Sequence, residues 1–457
     1  MRSKTKKYTV FPILCMNLET MNLKSNLRYV ALLIFIFLTG CIAAKNSQVK
    51  SSTVIIKNIN VIDVINGIVL PKQDVVIKDK LIYFVGKSFS GIIPSNSTSI
   101  DGTGKYLSPG LWDMHFHLCW DKNNDTLLYP ILLKNGIMGI RDMGGDLDIM
   151  RSFKNKLASD SIKGPEIYGA GPIIDGNPPV YYDFSIPVDG KSNIPAILDS
   201  LKTNGSEFFK TYSLIREPQL KAISNYCLKH NMTFAGHLSE YIQPEISISY
   251  GQKSIEHLNR LDEIWQVNRS RIDSIAQLML VNHTSLCPTL ITYQLKTRIF
   301  DTSVINHEYA KFIPVSLMKD WKVVWGKRIQ QHPNVSDLTI LNKVFEGQME
   351  LVNHLHKMGV MILAGSDFGG MPYVYPGISL YQELRLMVDA GLSNMEALKT
   401  ATINPAIYLS RQENYGSLSV GKYADMIILE HNPFDNIDNL KTINTVIVKG
   451  KILNDLN

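Results

Sequence analysis

Pro109-Gly110-Leu111-Trp112-Asp113-Met114-His115-Phe116-His117-Leu118 reads as a strand that carries two histidines two positions apart. Residues i and i+2 of a strand project to one face, so the imidazoles of His115 and His117 can reach one cation together. A helix splays that spacing apart, which sets aside His354 and His356 in a helical stretch. The pair alone is a weak signal. The pattern around it gives it weight.

Outward from this strand, the middle of the chain alternates strand and helix. Strand-like runs fall near 111–118, 137–143, 166–170, 206–212, 232–237, 252–257, 284–289 and 360–367. Helical patterns lie between them, as at Ile194–Thr203, Glu217–His230 and Leu380–Ala390. This α/β alternation predicts parallel βαβ units closed into a distorted (β/α)8 TIM barrel, with a doubly wound open sheet as the other arrangement. Short strands separated by Asn58, Asn66-Gly67 and Asp79 occupy Thr53 to Val85, and the same texture returns at Met426–Leu429 and Thr445–Ile452. They predict a small β-sandwich domain built from both termini, residues 53–107 plus 406–457, around a barrel over 108–405. The long stretch 293–356, with Trp321 and Trp325, is expected to cap the site.

The chain has 457 residues, 45% of them hydrophobic, enough for one large domain and a smaller one. Its formal charge of +6 is concentrated at the start, where Arg2, Lys4, Lys6, Lys7, Lys24 and Arg28 face only Glu19 in the first forty residues. The rest is near neutral, which leaves no nucleic-acid footprint. Tyr29 to Leu38 is an apolar run behind Lys24 and Arg28, too short for a bilayer, which needs ~20 apolar residues. It ends in Leu38-Thr39-Gly40-Cys41, which resembles the lipobox of bacterial lipoprotein signals. Residues 1–40 therefore read as a signal peptide, with Met21 a candidate true start, and 41–52 as a tether. The expected mature protein is exported and held through lipidated Cys41 on the periplasmic side of a membrane, the outer membrane in this reading, with homo-oligomers open. Cys119, Cys227 and Cys287 are too few for a disulfide framework, and Cys119 reads as a buried structural thiol rather than a ligand.

Barrel enzymes carry their chemistry at the C-terminal ends of the strands. Those ends hold Lys210, His237, His257 and Asp367, beside His115 and His117 on the first strand; the other histidines fall in helices, in loops or at strand beginnings. Histidine and carboxylate are the usual ligands of zinc and its neighbours. Two divalent ions ~3.5–4 Å apart need a bridging anion. Lys210, in Glu207-Phe208-Phe209-Lys210-Thr211-Tyr212, can supply one, because apolar neighbours favour a neutral amine that takes up carbon dioxide as a carbamate. The plainer readings are a surface charge for Lys210 and a helix N-cap for Asp367, which follows the buried run Val360–Ser366.

The stretch 109–117, Ser254-Ile255-Glu256-His257, Ala364-Gly365-Ser366-Asp367, Asn404-Pro405-Ala406 and Gly421-Lys422-Tyr423-Ala424-Asp425 together resemble the amidohydrolase superfamily. The nearest branch is that of imidazolonepropionase-related amidohydrolases and prolidase-like dipeptidases. The resemblance implies a distorted eight-stranded barrel with a β-sandwich. It also implies two divalent metals, expected to be zinc: His115, His117 and Asp367 on the first, His237 and His257 on the second, and N-carboxylated Lys210 bridging them. Imidazolonepropionase itself is mononuclear and lacks that lysine, so Lys210 favours the binuclear, dipeptidase-like branch. Ala235-Gly236-His237-Leu238 departs from the Ala-His-Ala-His pattern of several dipeptidases and leaves the substrate open.

The implied reaction is hydrolysis of a C–N bond in a small amide or dipeptide-like molecule, by hydroxide bridging the metals with Asp367 as general base and then acid. Tyr212 as an oxyanion donor and Arg141 as a grip for a substrate carboxylate are secondary expectations, each with a packing or ion-pair alternative. Two other functions stay open: a cyclic-amide, ester or lactone hydrolase with one metal, and a lipid-anchored binding protein without turnover.

Overall fold

The computed structural model describes residues 52–332 and 334–453, without the side chains of Val335 and Ser336. The expected signal peptide and Cys41 lie outside the described residues. Five strands open the described chain: β1 (Thr53–Asp63), β2 (Ile68–Lys78), β3 (Leu81–Gly86), β4 (Thr98–Asp101) and β5 (Tyr106–Pro109). Nine follow: β6 (Leu111–Phe116), β7 (Ile137–Asp142), β8 (Glu166–Gly169), β9 (Ile173–Gly176), β10 (Ser185–Val188), β11 (Phe209–Thr211), β12 (Phe234–Gly236), β13 (Gln252–Glu256) and β14 (Ser285–Cys287). β15 (Met426–Leu429), β16 (Ile443–Val448) and β17 (Lys451–Ile452) complete them.

Strands from both ends share one sheet, in the order β17-β16-β15-β5-β1-β2-β3, with β4 paired to the other half of β1. The alternation that predicts strands here buries Val54, Ile56, Val61, Val75, Ile77, Leu107, Met426 and Ile428 in a core of their own. Asn58 does not end β1 as its turn character suggests. It takes φ 56° beside a register shift between Ile56 and Ile59, a bulge that lets the strand run on. Where the sequence predicts a sandwich of two sheets, the hydrogen bonding runs through a single one.

The middle of the chain is an α/β fold around a curled sheet. β6, β7 and β8 pair in parallel, as do β9, β11, β12, β13 and β14. The third predicted strand forms as β8, which pairs with β7, and a further strand that the sequence reading does not mark, β9, follows it and pairs with β11. The eighth predicted strand, 360–367, is not a regular strand. It is held on one side by Met114 N donating to Ala364 O (2.8 Å) and Asp367 N to His115 O (2.7 Å), and on the other by Leu363 N donating to Leu286 O (2.8 Å). The segment thus lies between β14 and β6. Crowding explains its irregularity, since a Cβ on Gly365 would come within 2.6 Å of both His115 Cβ and Cys287 Sγ.

Helices form where their periodicity predicts them, over Ile194–Thr203, Glu217–His230 and Ile378–Ala390. The stretch after β14 folds into further helices, the longest Val315–Gln331 and Val335–Lys357. Trp321 and Trp325 are buried on the first of these and pack edge-on against Phe368 and Tyr373, with ring centroids 6.2 Å and 5.1 Å apart. Among the described residues no helix is long and apolar enough to cross a membrane.

Arg141 on β7 crosses the interior of the curled sheet. Its Nε donates to Met114 O on β6 (2.6 Å), Nη1 to Ser254 Oγ on β13 and to Tyr408 Oη (both 2.8 Å), and Nη2 to both oxygens of Glu256 (2.8 and 2.9 Å). It has no exposed surface, so the expectation that it grips a substrate carboxylate is overturned. The guanidinium is consumed by the fold. Replacing it leaves Glu256 charged, buried and unpaired, which costs about 3–5 kcal/mol. Arg141→Met should therefore lower the unfolding free energy by about that amount, read as a fall in the denaturant midpoint at constant slope, and an unchanged midpoint would show that the pair does not support the fold.

Candidate functional site

β6 ends with His115 and His117 on one face, as the i, i+2 spacing predicts, and both are buried. His115 Nδ1 donates to Glu256 Oε2 (2.8 Å) and His117 Nδ1 donates to Gly144 O (3.0 Å). A carbonyl and a carboxylate can only accept, so both imidazoles carry their proton on Nδ1 and present a lone pair on Nε2. Those two Nε2 atoms lie 3.3 Å and 3.4 Å from one oxygen, Asp367 Oδ1. Three lone pairs facing one point repel one another unless something positive, a proton or a metal ion, lies between them. Such a cluster fits a metal.

The other predicted residues surround this point. The rings of His257 and His115 are 4.7 Å apart, and those of His237 and His257 4.6 Å. His257 Nδ1 meets Thr289 Oγ1 at 2.6 Å and His237 Nδ1 meets Ser213 Oγ at 3.1 Å, so each again has Nε2 left over. Ligand atoms of His115, His257 and Asp367 all lie within 4.8 Å of one another. A second close group, His115, Glu256 and Cys287, is not a metal site: Glu256 is taken up by Arg141 and His115 Nδ1, and burial pushes the Cys287 thiol well up.

Lys210, on β11, is fully buried, and its Nζ has no hydrogen-bond partner. Burial lowers its pKa to about 8 against the pull of Glu256 and Asp367. An amine in that environment is readily neutral. Burial and neighbouring cations likewise keep His115 and His237 well below the usual imidazole value, and burial holds His257 at about 4. Burial would raise Asp367, but His115, His117 and His257 together hold it below the carboxylate range. Neutral His115, His237 and His257 beside an ionised Asp367 are in the protonation states that metal ligands need.

Backbone strain concentrates here. His257 and Asp367 take φ 65° and 59°, rare for residues with side chains. His257 N donates to Cys287 O (2.9 Å) and Asp367 N to His115 O, so neighbouring strands pin both. Gly236, just before His237, has a Cβ position 2.0 Å from Thr211 O, so only glycine lets β12 approach β11 this closely.

Several supporting residues escape the sequence reading. Asp113 accepts from Ser366 Oγ (2.6 Å), Ser366 N (2.9 Å) and His115 N (3.2 Å), tying the segment before Asp367 to β6. Glu383 accepts from Leu290 N and Ile291 N (2.9 and 2.7 Å) and so fixes the turn that carries Thr289. Asp113 and Glu256 stand in quoted motifs, two and one residues from a histidine, which is the only signal of their role; nothing local marks Glu383. Tyr212 lies tilted against His237, with ring centroids 3.8 Å apart. Beside His117 opens a cavity of about 310 Å³, walled by Trp120, Tyr181, Phe184, Trp321 and Arg328.

The model of the amidohydrolase family matches residues 106–453. A protein of Xenopus laevis named "Probable imidazolonepropionase" is 34% identical over 103 residues, which are 21% of this chain and 23% of that protein. The match thus spans less than a quarter of that relative. Among solved structures, a Xaa-Pro dipeptidase with bound methionine superposes with a TM-score of 0.68 at 20% identity, covering 88% of this chain and 99% of that one. A bottromycin amidohydrolase does so with a TM-score of 0.71 at 18% identity, covering 88% and 87%. At these identities the likeness shows the fold. Together with the family match over most of its length, it means that the chain belongs to the amidohydrolase family.

Proposed function

We propose that the protein is a metal-dependent hydrolase that cleaves a C–N bond, amide or peptide-like, in a small molecule. The observation that carries this reading is the meeting of His115 Nε2, His117 Nε2 and Asp367 Oδ1 at one point, with both Nδ1 atoms turned to acceptors behind the rings. In this reading those residues hold a first divalent ion and His237 and His257 a second. Lys210 would add an anionic ligand as a carbamate, formed when its neutral amine adds to carbon dioxide and releases a proton. Its lack of any hydrogen-bond partner and its lowered pKa support that role. We take zinc as the metal from the imidazole and carboxylate donors. Divalent cations held here would supply Lewis acidity, lowering the pKa of water and polarising a carbonyl.

The chain's own residues do the rest. Asp367, held ionised, accepts a proton from the attacking water and delivers it to the departing nitrogen, so a poor leaving group departs as an amine. Glu256, Gly144, Ser213 and Thr289 keep four imidazoles from rotating. A second reading, hydrolysis of a cyclic amide with one metal, is favoured by the identity shared with the imidazolonepropionases; it gives Lys210 no part.

We also read the curled sheet as a distorted (β/α)8 barrel over 108–405 and the sheet of both ends as a smaller, sandwich-like domain. Residues 1–40 and Cys41 we propose as an export signal and lipid anchor that hold the protein on the periplasmic face of the outer membrane.

Protein purified without chelators should contain close to two metal ions per chain by elemental analysis, falling to one or fewer in Lys210→Ala. One ion, unchanged in that variant, would move the reading to the cyclic-amide alternative. In a screen of dipeptides and N-acyl amino acids, Asp367→Asn should lose at least about 10³-fold in turnover while its circular dichroism matches the parent. Near-normal turnover in that variant would sink the proton-transfer role.

A further inference from the structure

Four lysines gather on one cleft at the end of the curled sheet that lies away from the candidate site. The helix Leu147–Ala158 runs between the two ends. It starts just after Gly144, whose carbonyl accepts from His117, and its 12 residues carry the chain about 18 Å to its last turn. That last turn lines a cavity of about 150 Å³ together with Lys80, Lys163, Lys449 and Lys451 and the carboxylates of Asp160 and Glu166. Asp160 accepts from Lys163 and from Lys451 (2.6 Å). Glu166, the first residue of β8, accepts from Lys449 (3.0 Å) and, through its other oxygen, from Arg411 (3.4 Å). Two carboxylates thus answer four ammonium groups. Burial, and then the repulsion of Lys451, Lys80 and Lys449, lowers the pKa of Lys163 to about 8.

The described chain begins beside this cleft. Ser52 N donates to Asp79 Oδ1 (3.0 Å), and Asp79 N donates to Ser52 O (2.8 Å). Asp79 precedes Lys80 in the turn between β2 and β3, and a Cβ on Gly450 would lie 1.8 Å from Asp79 O. The hairpin that carries Lys449 and Lys451 is therefore pressed against the residue that holds Ser52. Cys41 precedes Ser52 by eleven residues, which extend to at most about 40 Å. A lipid on Cys41 would keep Ser52, and the lysines around it, within that distance of a bilayer. Leu81 and Tyr83, just after Lys80, are 43% and 50% exposed on one face of β3, an apolar margin that suits the headgroup boundary.

We propose that the cleft between Lys80, Lys163, Lys449 and Lys451 seats the phosphate headgroups of anionic phospholipids in the membrane to which the chain is tethered. Each lysine near such a surface is attracted to it, and the excess of two charges over the local carboxylates gives this face its preference. The molecule then stands on the bilayer by the end of the sheet where β8 begins. His117 and the cavity beside it are turned to the aqueous side, where a small molecule arrives by diffusion. This docking rests on the lipid anchor at Cys41 read above, and adds to it the face that meets the membrane.

The test mixes the full chain with vesicles of phosphatidylcholine alone, or of phosphatidylcholine and phosphatidylglycerol in equal parts. It reads the rate at which acetic anhydride modifies each lysine, by mass spectrometry. The basic residues between Arg2 and Arg28 can draw the chain to an anionic surface by themselves, so the reactivity of single lysines decides, not total binding. On the mixed vesicles Lys80, Lys163, Lys449 and Lys451 should react at least about fivefold more slowly than on the neutral ones, the effect of one lysine's attraction to an anionic surface. Lys319 and Lys322, exposed on the helix Val315–Gln331 that walls the cavity beside His117, should keep their rates. Replacing Lys449→Gln and Lys451→Gln together removes the excess charge and should return Lys80 and Lys163 to their rates on neutral vesicles. Inorganic phosphate, added to neutral vesicles at the same phosphate concentration, should protect none of the four. Equal rates on both vesicles, protection of Lys319 and Lys322 instead, protection that survives in the double variant, or equal protection by inorganic phosphate would overturn the inference. The comparison of vesicles needs no variant to fold. The mass of the peptide containing Cys41 tests the anchor separately. An acylated Cys41 without protection upholds the anchor and sinks the docking face, whereas protection with an unmodified Cys41 does the reverse.

Discussion

Arg141 and Glu256 form a fully buried ion pair, and the arrangement of the site is inherited from it. A buried pair of this kind adds little net stability over apolar residues of the same volume, because both charges lose their hydration. What it adds is a unique arrangement. Arg141 spends its donors on β6, on β13 and on Tyr408, so the strands that carry His115 and His257 are fixed relative to each other. Glu256 has an oxygen left to accept from His115 Nδ1. The proton position of that imidazole is thereby set by the interior of the sheet.

The other imidazoles are anchored by weaker partners, a carbonyl behind His117 and hydroxyls behind His237 and His257. An imidazole backed by a carboxylate is the more electron-rich ligand. The two halves of the candidate centre are thus unequal in donor strength. They are also unequal in support, since Thr289, behind His257, depends on a turn held by Glu383 from a different helix.

Much of this was legible in the sequence. Period-2 alternation locates the strands of both ends, and strand-then-helix alternation locates the parallel ones, because burial imposes those periods directly. The histidine pair on β6 is legible for the same reason. The breaks are not. The change of partner between β8 and β9 has no local signal, and the irregularity of the segment 360–367 follows from tertiary crowding at Gly365, which no local pattern encodes. Glu256 shows no role in its motif because strand alternation sends neighbours to opposite faces. The positive φ of His257 breaks that alternation and lets both residues serve one site. Arg141 misled because a lone arginine near a predicted site looks the same in sequence whether it faces solvent or the interior.

The terminal sheet has a consequence for how the molecule forms. β5 pairs with β15, and Lys105 with Glu430 across a separation of 325 residues. Val61, Leu107 and their neighbours share a core with Met426 and Ile428, so their burial waits for the last part of the chain to be made. Closing so large a loop before any contact repays it is slow. During synthesis, the apolar faces of β1 and β5 stay unsatisfied while the whole middle of the chain is still emerging, a long interval in which an exposed strand edge invites aggregation.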